Sequence, residues 1–117
     1  MNVVLVVNAL ASLVSAGSSI LGVVRPGVLL AAGEPVTEGT ELYARAYAVR
    51  AVPLGLALAV TLLAGAPGAV LWPLLLVAGL AQVGDSVIGA RHHNRGMMLG
   101  AGAFALLHLA SAFGLAR

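Results

Sequence analysis

The chain has 117 residues, 61% of them hydrophobic and only 9% charged, with a mean hydropathy of +1.06. A water-soluble domain carries about a quarter charged residues, so this composition cannot clothe a soluble surface, and the expected solvent is a lipid bilayer. The net charge of +2 is six scattered arginines against four acidic residues, which argues against a nucleic-acid partner, and the absence of cysteine excludes disulfides, thiol catalysis and thiolate-ligated metals.

A membrane span needs roughly 20 mostly apolar residues. Four stretches qualify: 3–24, 45–64, 69–90 and 97–116. They predict a single transmembrane domain over 1–117, an all-α integral membrane four-helix bundle. The first stretch lacks a basic leader, and its apolar run is longer than that of a signal peptide, so it reads as a retained helix. It ends at the turn signal Arg25-Pro26-Gly27. Val28–Ala32 is too short to cross and is expected at the interface, and Gly33-Glu34-Pro35 makes a second break.

The second span opens near Arg45 and carries Arg50 and Pro53. Proline removes the helical bond to the Val49 carbonyl and loosens the backbone beside Arg50. Glu38 and Glu41 suit a helix start after Thr37, and Glu41–Arg45 is an i, i+4 pair in the favourable order. Gly65–Gly68 forms a tight turn into the third span. There Trp72 is an interfacial anchor, with Pro73 beside it in the first turn. The basic loop after Ala90 holds Arg91, His92, His93 and Arg95, with the two adjacent histidines read as solvated or headgroup-facing. No metal site or cofactor is expected.

Arginine placement sets the expected orientation. The loops 25–45 and 91–96 carry the positive charge, which puts them on the cytoplasmic side of the cell membrane and both termini outside.

Each span gathers polar residues on one face. In the first, Asn8, Ser12, Ser15 and Ser19 follow helical spacing. In the second, Tyr43, Tyr47, Arg50 and Thr61 do so. In the third, Gln82 and Asp85 share a face, and in the fourth Phe104 and His108 do. Lipid offers no hydrogen bonds, so these faces point into the bundle. Counted from the charged ends, Asp85 and Arg50 both lie roughly 8 Å deep and His108 roughly 16 Å deep.

A charge inside the bilayer costs about 2.5–3.5 kcal/mol on insertion scales and persists when paired or functional. Asp85 and Arg50 can therefore be an ion pair tying two helices, a site in which Arg50 polarises an oxygen and Asp85 handles a proton, or both. His108 is a core histidine or a proton relay. The serine stripe is close packing or pocket lining. On the functional reading, Asp85, Arg50 and His108 are the catalytic candidates. Tyr47, Gln82, Ser15, Ser19, Asn8 and Phe104 are the substrate-binding candidates.

With the Arg25-Pro26 connection, the "RAVPLG" opening of the second span (Arg50 to Gly55), Asp85 late in the third and His108 in the fourth, the chain resembles small four-helix membrane proteins of unknown function with a DoxX-like layout. Some fungal members of that group lie beside polyketide clusters and are associated with epoxide opening. The resemblance implies a membrane enzyme that opens an epoxide of a lipophilic small molecule by hydrolysis, cyclisation or isomerisation, with Arg50, Asp85 and His108 at the matching positions. A carrier or transporter, acting as a homo-oligomer, and a structural accessory subunit held by an Arg–Asp pair remain the alternatives.

Overall fold

The computed structural model describes residues 2–117. Four helices follow one another: α1 (Val3–Val24), α2 (Glu38–Leu63), α3 (Gly68–Arg91) and α4 (Arg95–Ala116). Each is long and apolar enough to cross a membrane. The body measures 45 × 22 × 19 Å, and its long dimension equals the thickness of a bilayer with its headgroups, about 40–45 Å. Large apolar side chains cover its outside. Leu106, Val49, Leu42 and Phe113 are all at least 65% exposed, an arrangement that water would penalise and lipid tails accept.

Local signals set the helix ends. The Asn2 side chain accepts from the Val4 amide and caps α1. Thr37 and Thr40 form a reciprocal capping box at the start of α2, with Glu38 and Glu41 in its first turn. α2 therefore begins almost two turns ahead of the apolar span at 45–64. Between α1 and α2, Val28 and Leu29 lie in a short 3-10 helix (Pro26–Leu29) whose Leu29 packs on Gly22. α3 starts at Gly68, which moves Pro73 out of the first turn and into the helix. There it leaves the Ala69 carbonyl without its helical donor. His93 takes a left-handed conformation (φ 55°) that closes α3, and Asn94 caps α4 through the Met97 amide. His92 and His93 are both exposed.

The bundle is built from two hairpins. α1 packs closely on α2, and α3 on α4, while contacts between the hairpins are sparse. Glycines permit the close approaches. A Cβ on Gly55 would stand 2.7 Å from the Ser12 carbonyl oxygen of α1, and one on Gly89 would stand 2.6 Å from the Met98 nitrogen of α4. Gly89→Ala is expected to destabilise the fold by about 1–3 kcal/mol, because the obstacle is backbone that cannot step aside. Gly17→Ala, with nothing within 4 Å of its Cβ, is expected to be neutral or slightly stabilising. Unfolding of both variants in mixed micelles checks the contrast.

Three polar rungs tie the hairpins together. Tyr47 Oη donates to Asp85 Oδ2 at 3.3 Å, joining α2 to α3. Gln82 Nε2 donates to Ser15 Oγ at 3.1 Å, joining α3 to α1. Asn8 of α1 meets Ser111 and His108 of α4, each at 2.8 Å. At the charged end, Asn94 Nδ2 donates to the Leu29 carbonyl at 3.0 Å and links the two loops.

Candidate functional site

The inward faces border a half-open cavity of about 380 Å³ between the hairpins. α2 and α3 supply most of its wall. Along α2 it runs from Tyr43 to Leu58, about four helical turns. Ser12 and Ser15 of α1 and His108 of α4 complete it. Its volume falls in the range of small-molecule sites, ~300–1,000 Å³. A second cavity of about 270 Å³ lies on the other side of the same polar layer, lined by Ser18 of α1 and by Met97 and Phe104 of α4. Ser15, Tyr43, Tyr47, Gln82 and Asp85 line both, so this layer is a shared wall. A third cavity, about 320 Å³, opens at the charged end beside Glu34, Thr40, His92 and Asn94, and also touches Tyr43.

Asp85 is half-buried, and its hydrogen-bond partner is the Tyr47 hydroxyl. This differs from the ion pair with Arg50 expected as one reading of the sequence. Among the described residues no arginine comes within 4.0 Å of a carboxylate, which also leaves Glu41 and Arg45 without their surface pair. The reason is register. α2 begins at Glu38, and the side chain that arrives level with Asp85 is Tyr47. Arg50 sits about one turn deeper. It is exposed and borders the large cavity. Arg50→Gln is accordingly expected to cause no loss of stability, since an amide avoids the cost of a charge inside the bilayer, whereas breaking an Arg–Asp tie between helices would destabilise by several kcal/mol. A chemical-denaturation midpoint distinguishes the two.

Tyr43 stacks on Tyr47, with ring centroids 6.0 Å apart and planes 17° from parallel. The phenols of α2 thus join the carboxylate and carboxamide of α3 in one polar wall of the cavity. Serine and threonine hydroxyls are mostly committed to their own helices. Ser12 donates to the Asn8 carbonyl, Ser19 to Ala16, Ser111 to Leu107 and Thr61 to Ala57. Ser19 is buried and lines none of the three cavities, so it stands apart from Asp85 despite its helical spacing. Ser86 Oγ donates to the Met98 carbonyl and fixes α3 on α4 directly behind Asp85.

His108 is 1% exposed. Its Nδ1 lies 2.8 Å from Asn8 Oδ1, and its ring is tilted against Phe104 at 6.4 Å. Asn8 itself is wholly buried and lines none of these three cavities, and its side chain holds His108. No group of metal-ligating side chains occurs among the described residues.

Asp85, Arg50, His108, Tyr47, Gln82 and Ser15 thus share one cavity, with Phe104 behind the common wall and Asn8 as the support of His108. The structure adds Tyr43, placed on the inward face by its spacing but not counted among the site candidates, and Ser111. Tyr43 carries a signal, its spacing to Tyr47. Ser111, inside the small-residue run "LASA", carries none. Compared with known protein families, curated proteins and solved structures, the chain matches none of them.

Proposed function

We propose that the chain is a membrane enzyme that opens the epoxide of a lipophilic small molecule by acid–base chemistry in the cavity between the hairpins. The observation that carries this reading is the Tyr47–Asp85 hydrogen bond on the wall of an otherwise largely apolar cavity. Tyr47 donates to Oδ2, which leaves Oδ1 to carry a proton toward a substrate oxygen. As the epoxide C–O bond breaks, Asp85 gives that proton up, and the Tyr47 donor stabilises the carboxylate that forms. Arg50, bordering the same cavity, is placed to polarise the oxygen, and Gln82 to orient it. The nucleophile is water or a hydroxyl of the substrate, and the proton it releases on attack returns Asp85 to its acid form. Epoxide as the strained group comes from the family resemblance, while acid–base chemistry on a lipophilic oxygen compound is supported by the residues themselves. The charged end is read as cytoplasmic.

The test is turnover of alkyl, aryl and isoprenoid epoxides by purified protein in lipid nanodiscs, run in heavy-oxygen water. Hydrolysis gives a diol with one heavy oxygen, and internal opening gives an unlabelled isomer. Rates equal to those of protein-free nanodiscs across all three classes would sink the reading.

A second reading, a carrier acting as a homo-oligomer, is favoured by one observation: the same polar wall borders cavities on both of its sides. Movement of Tyr47 away from Asp85 would join them. Protein-dependent flux of an amphiphile across liposomes, without chemical conversion, selects that reading.

A further inference from the structure

The deep end of the large cavity carries a feature that the acid–base reading does not use. Hydrogen-bond polarity around His108 can be followed atom by atom. Ser111 Oγ donates to the Leu107 carbonyl, so toward Asn8 it acts as acceptor. Asn8 Nδ2 donates both to Ser111 Oγ and to the Val4 carbonyl, which uses its two protons. The Asn8 atom facing the imidazole is therefore Oδ1, a pure acceptor, and His108 Nδ1 must carry the proton in the 2.8 Å bond. A neutral imidazole protonated at Nδ1 has a bare lone pair at Nε2.

Nε2 has no protein partner among the described residues. No side-chain nitrogen or oxygen there is both sealed from space and unpaired, and His108 lines the cavity. Its lone pair thus opens onto the cavity from a side chain that is otherwise 1% exposed. The nearby hydroxyl of Ser12 is already donating to the Asn8 carbonyl, so it supplies no proton to this atom. An acceptor held in place, surrounded by committed donors, selects a ligand that brings its own proton.

We propose that His108 Nε2 is a docking point for the hydroxyl of a lipophilic alcohol. The substrate of the cavity is accordingly an amphiphile with a neutral hydroxyl at its deep end and its reacting oxygen nearer Asp85. The inference rests on the proposed function only in taking this cavity as the substrate site. The spacing follows from the packing of α3 on α4. Leu109 lies against Gly79, almost two turns below Asp85, which puts His108 roughly 8 Å deeper than the carboxylate. The ligand therefore carries two oxygen functions several bonds apart. Anions are repelled by the lone pair, and ethers and ketones have no proton to give it. Asn8 and Ser111 act as positioning residues by locking the tautomer.

The experiment uses protein with isotope-labelled histidine in nanodiscs, titrated with decanol, decyl methyl ether and decane. Three histidines contribute signals, and loss of one set in His108→Phe assigns His108. The expected result is an Nε2 resonance of the unprotonated type that moves on adding decanol and stays put with the ether and the hydrocarbon. Decanol should bind on the order of tenfold tighter than the ether, and in His108→Phe that ratio should fall to about one. An Nε2 that already carries the proton overturns the inference, as does a ratio near one in the wild type, which would leave that atom to water. Alcohol docking on His108 without any epoxide turnover would defeat the proposed enzyme and leave this subsite standing. Turnover with a silent His108 would do the reverse.

Discussion

Asp85→Asn is expected to lower the rate of epoxide opening by ~10²–10⁴-fold, the usual share of a general acid, while leaving the protein at least as stable as the wild type. The amide has nearly the shape of the acid, and its oxygen still accepts from Tyr47 Oη at the position of Oδ2. What it lacks is the proton. Stability should not fall, because an ionisable group inside the bilayer costs about 2.5–3.5 kcal/mol on insertion scales and an amide avoids that cost. Tyr47→Phe separates the two partners. It keeps the proton on Asp85 but removes the donor that stabilises the carboxylate formed as the bond breaks. Its loss should be nearer tenfold, the worth of one hydrogen bond, and should fall on kcat rather than KM, since the interaction strengthens as charge develops. Steady-state kinetics of both variants beside a denaturation midpoint decide the matter. Loss of stability in step with loss of activity for Asp85→Asn would point instead to a structural carboxylate.

The four-helix architecture was legible because each local rule agreed with the next. Apolar runs of span length, breaks at Arg25-Pro26-Gly27 and Gly65–Gly68, and the acidic turn after Thr37 all pointed to the same four helices. The inward faces were legible too, since helical spacing alone puts Asn8, Ser12 and Ser15 together, and Gln82 with Asp85. What spacing cannot supply is the axial register between helices. An apolar span marks where lipid begins, whereas α2 begins where Thr37 caps it. That difference puts Tyr47, and not Arg50, opposite Asp85. Partner choice across the bundle was equally hidden. Asn8 read as an inward polar residue, but its meeting with Ser111 depends on how the two hairpins dock. Packing within each hairpin was hidden as well: it depends on close approaches at Gly55, Gly79 and Gly89 whose counterparts, Ser12, Leu109 and Met98, are remote or unremarkable in the sequence.

Asn8→Leu is expected to produce the largest loss of stability of any single change at the polar rungs, about 2–3 kcal/mol, for reasons that a double-mutant cycle can separate. Hydrogen bonds between helices in membranes average only ~0.6 kcal/mol and reach ~1.7, so the bonds themselves do not account for this figure. Most of the loss comes from the group left behind, because an unpaired buried donor costs ~1–3 kcal/mol. In Asn8→Leu, Ser111 keeps its bond to the Leu107 carbonyl, whereas His108 Nδ1–H faces a leucine. Since α1 and α4 otherwise touch little, the lost rung also loosens the docking of one hairpin on the other. His108 has one escape, to move its proton to Nε2 on the cavity side, which exchanges an orphaned donor for an orphaned acceptor and turns the cavity floor from acceptor to donor. His108→Leu alone leaves Asn8 Oδ1 unpaired but costs less, since Asn8 Nδ2 still reaches Val4 and Ser111. Removing both partners leaves nothing orphaned at that contact, so the double variant should lie closer to wild type than the sum of the two losses, with a coupling of ~1 kcal/mol or more. Additive losses would mean that Asn8 and His108 stabilise the bundle separately and that the imidazole is not held by the amide. Under the coupled outcome, Asn8→Leu should also abolish the ligand preference, bringing the decanol-to-ether ratio to about one, because an Nε2–H at the floor of the cavity donates equally well to an alcohol or an ether oxygen.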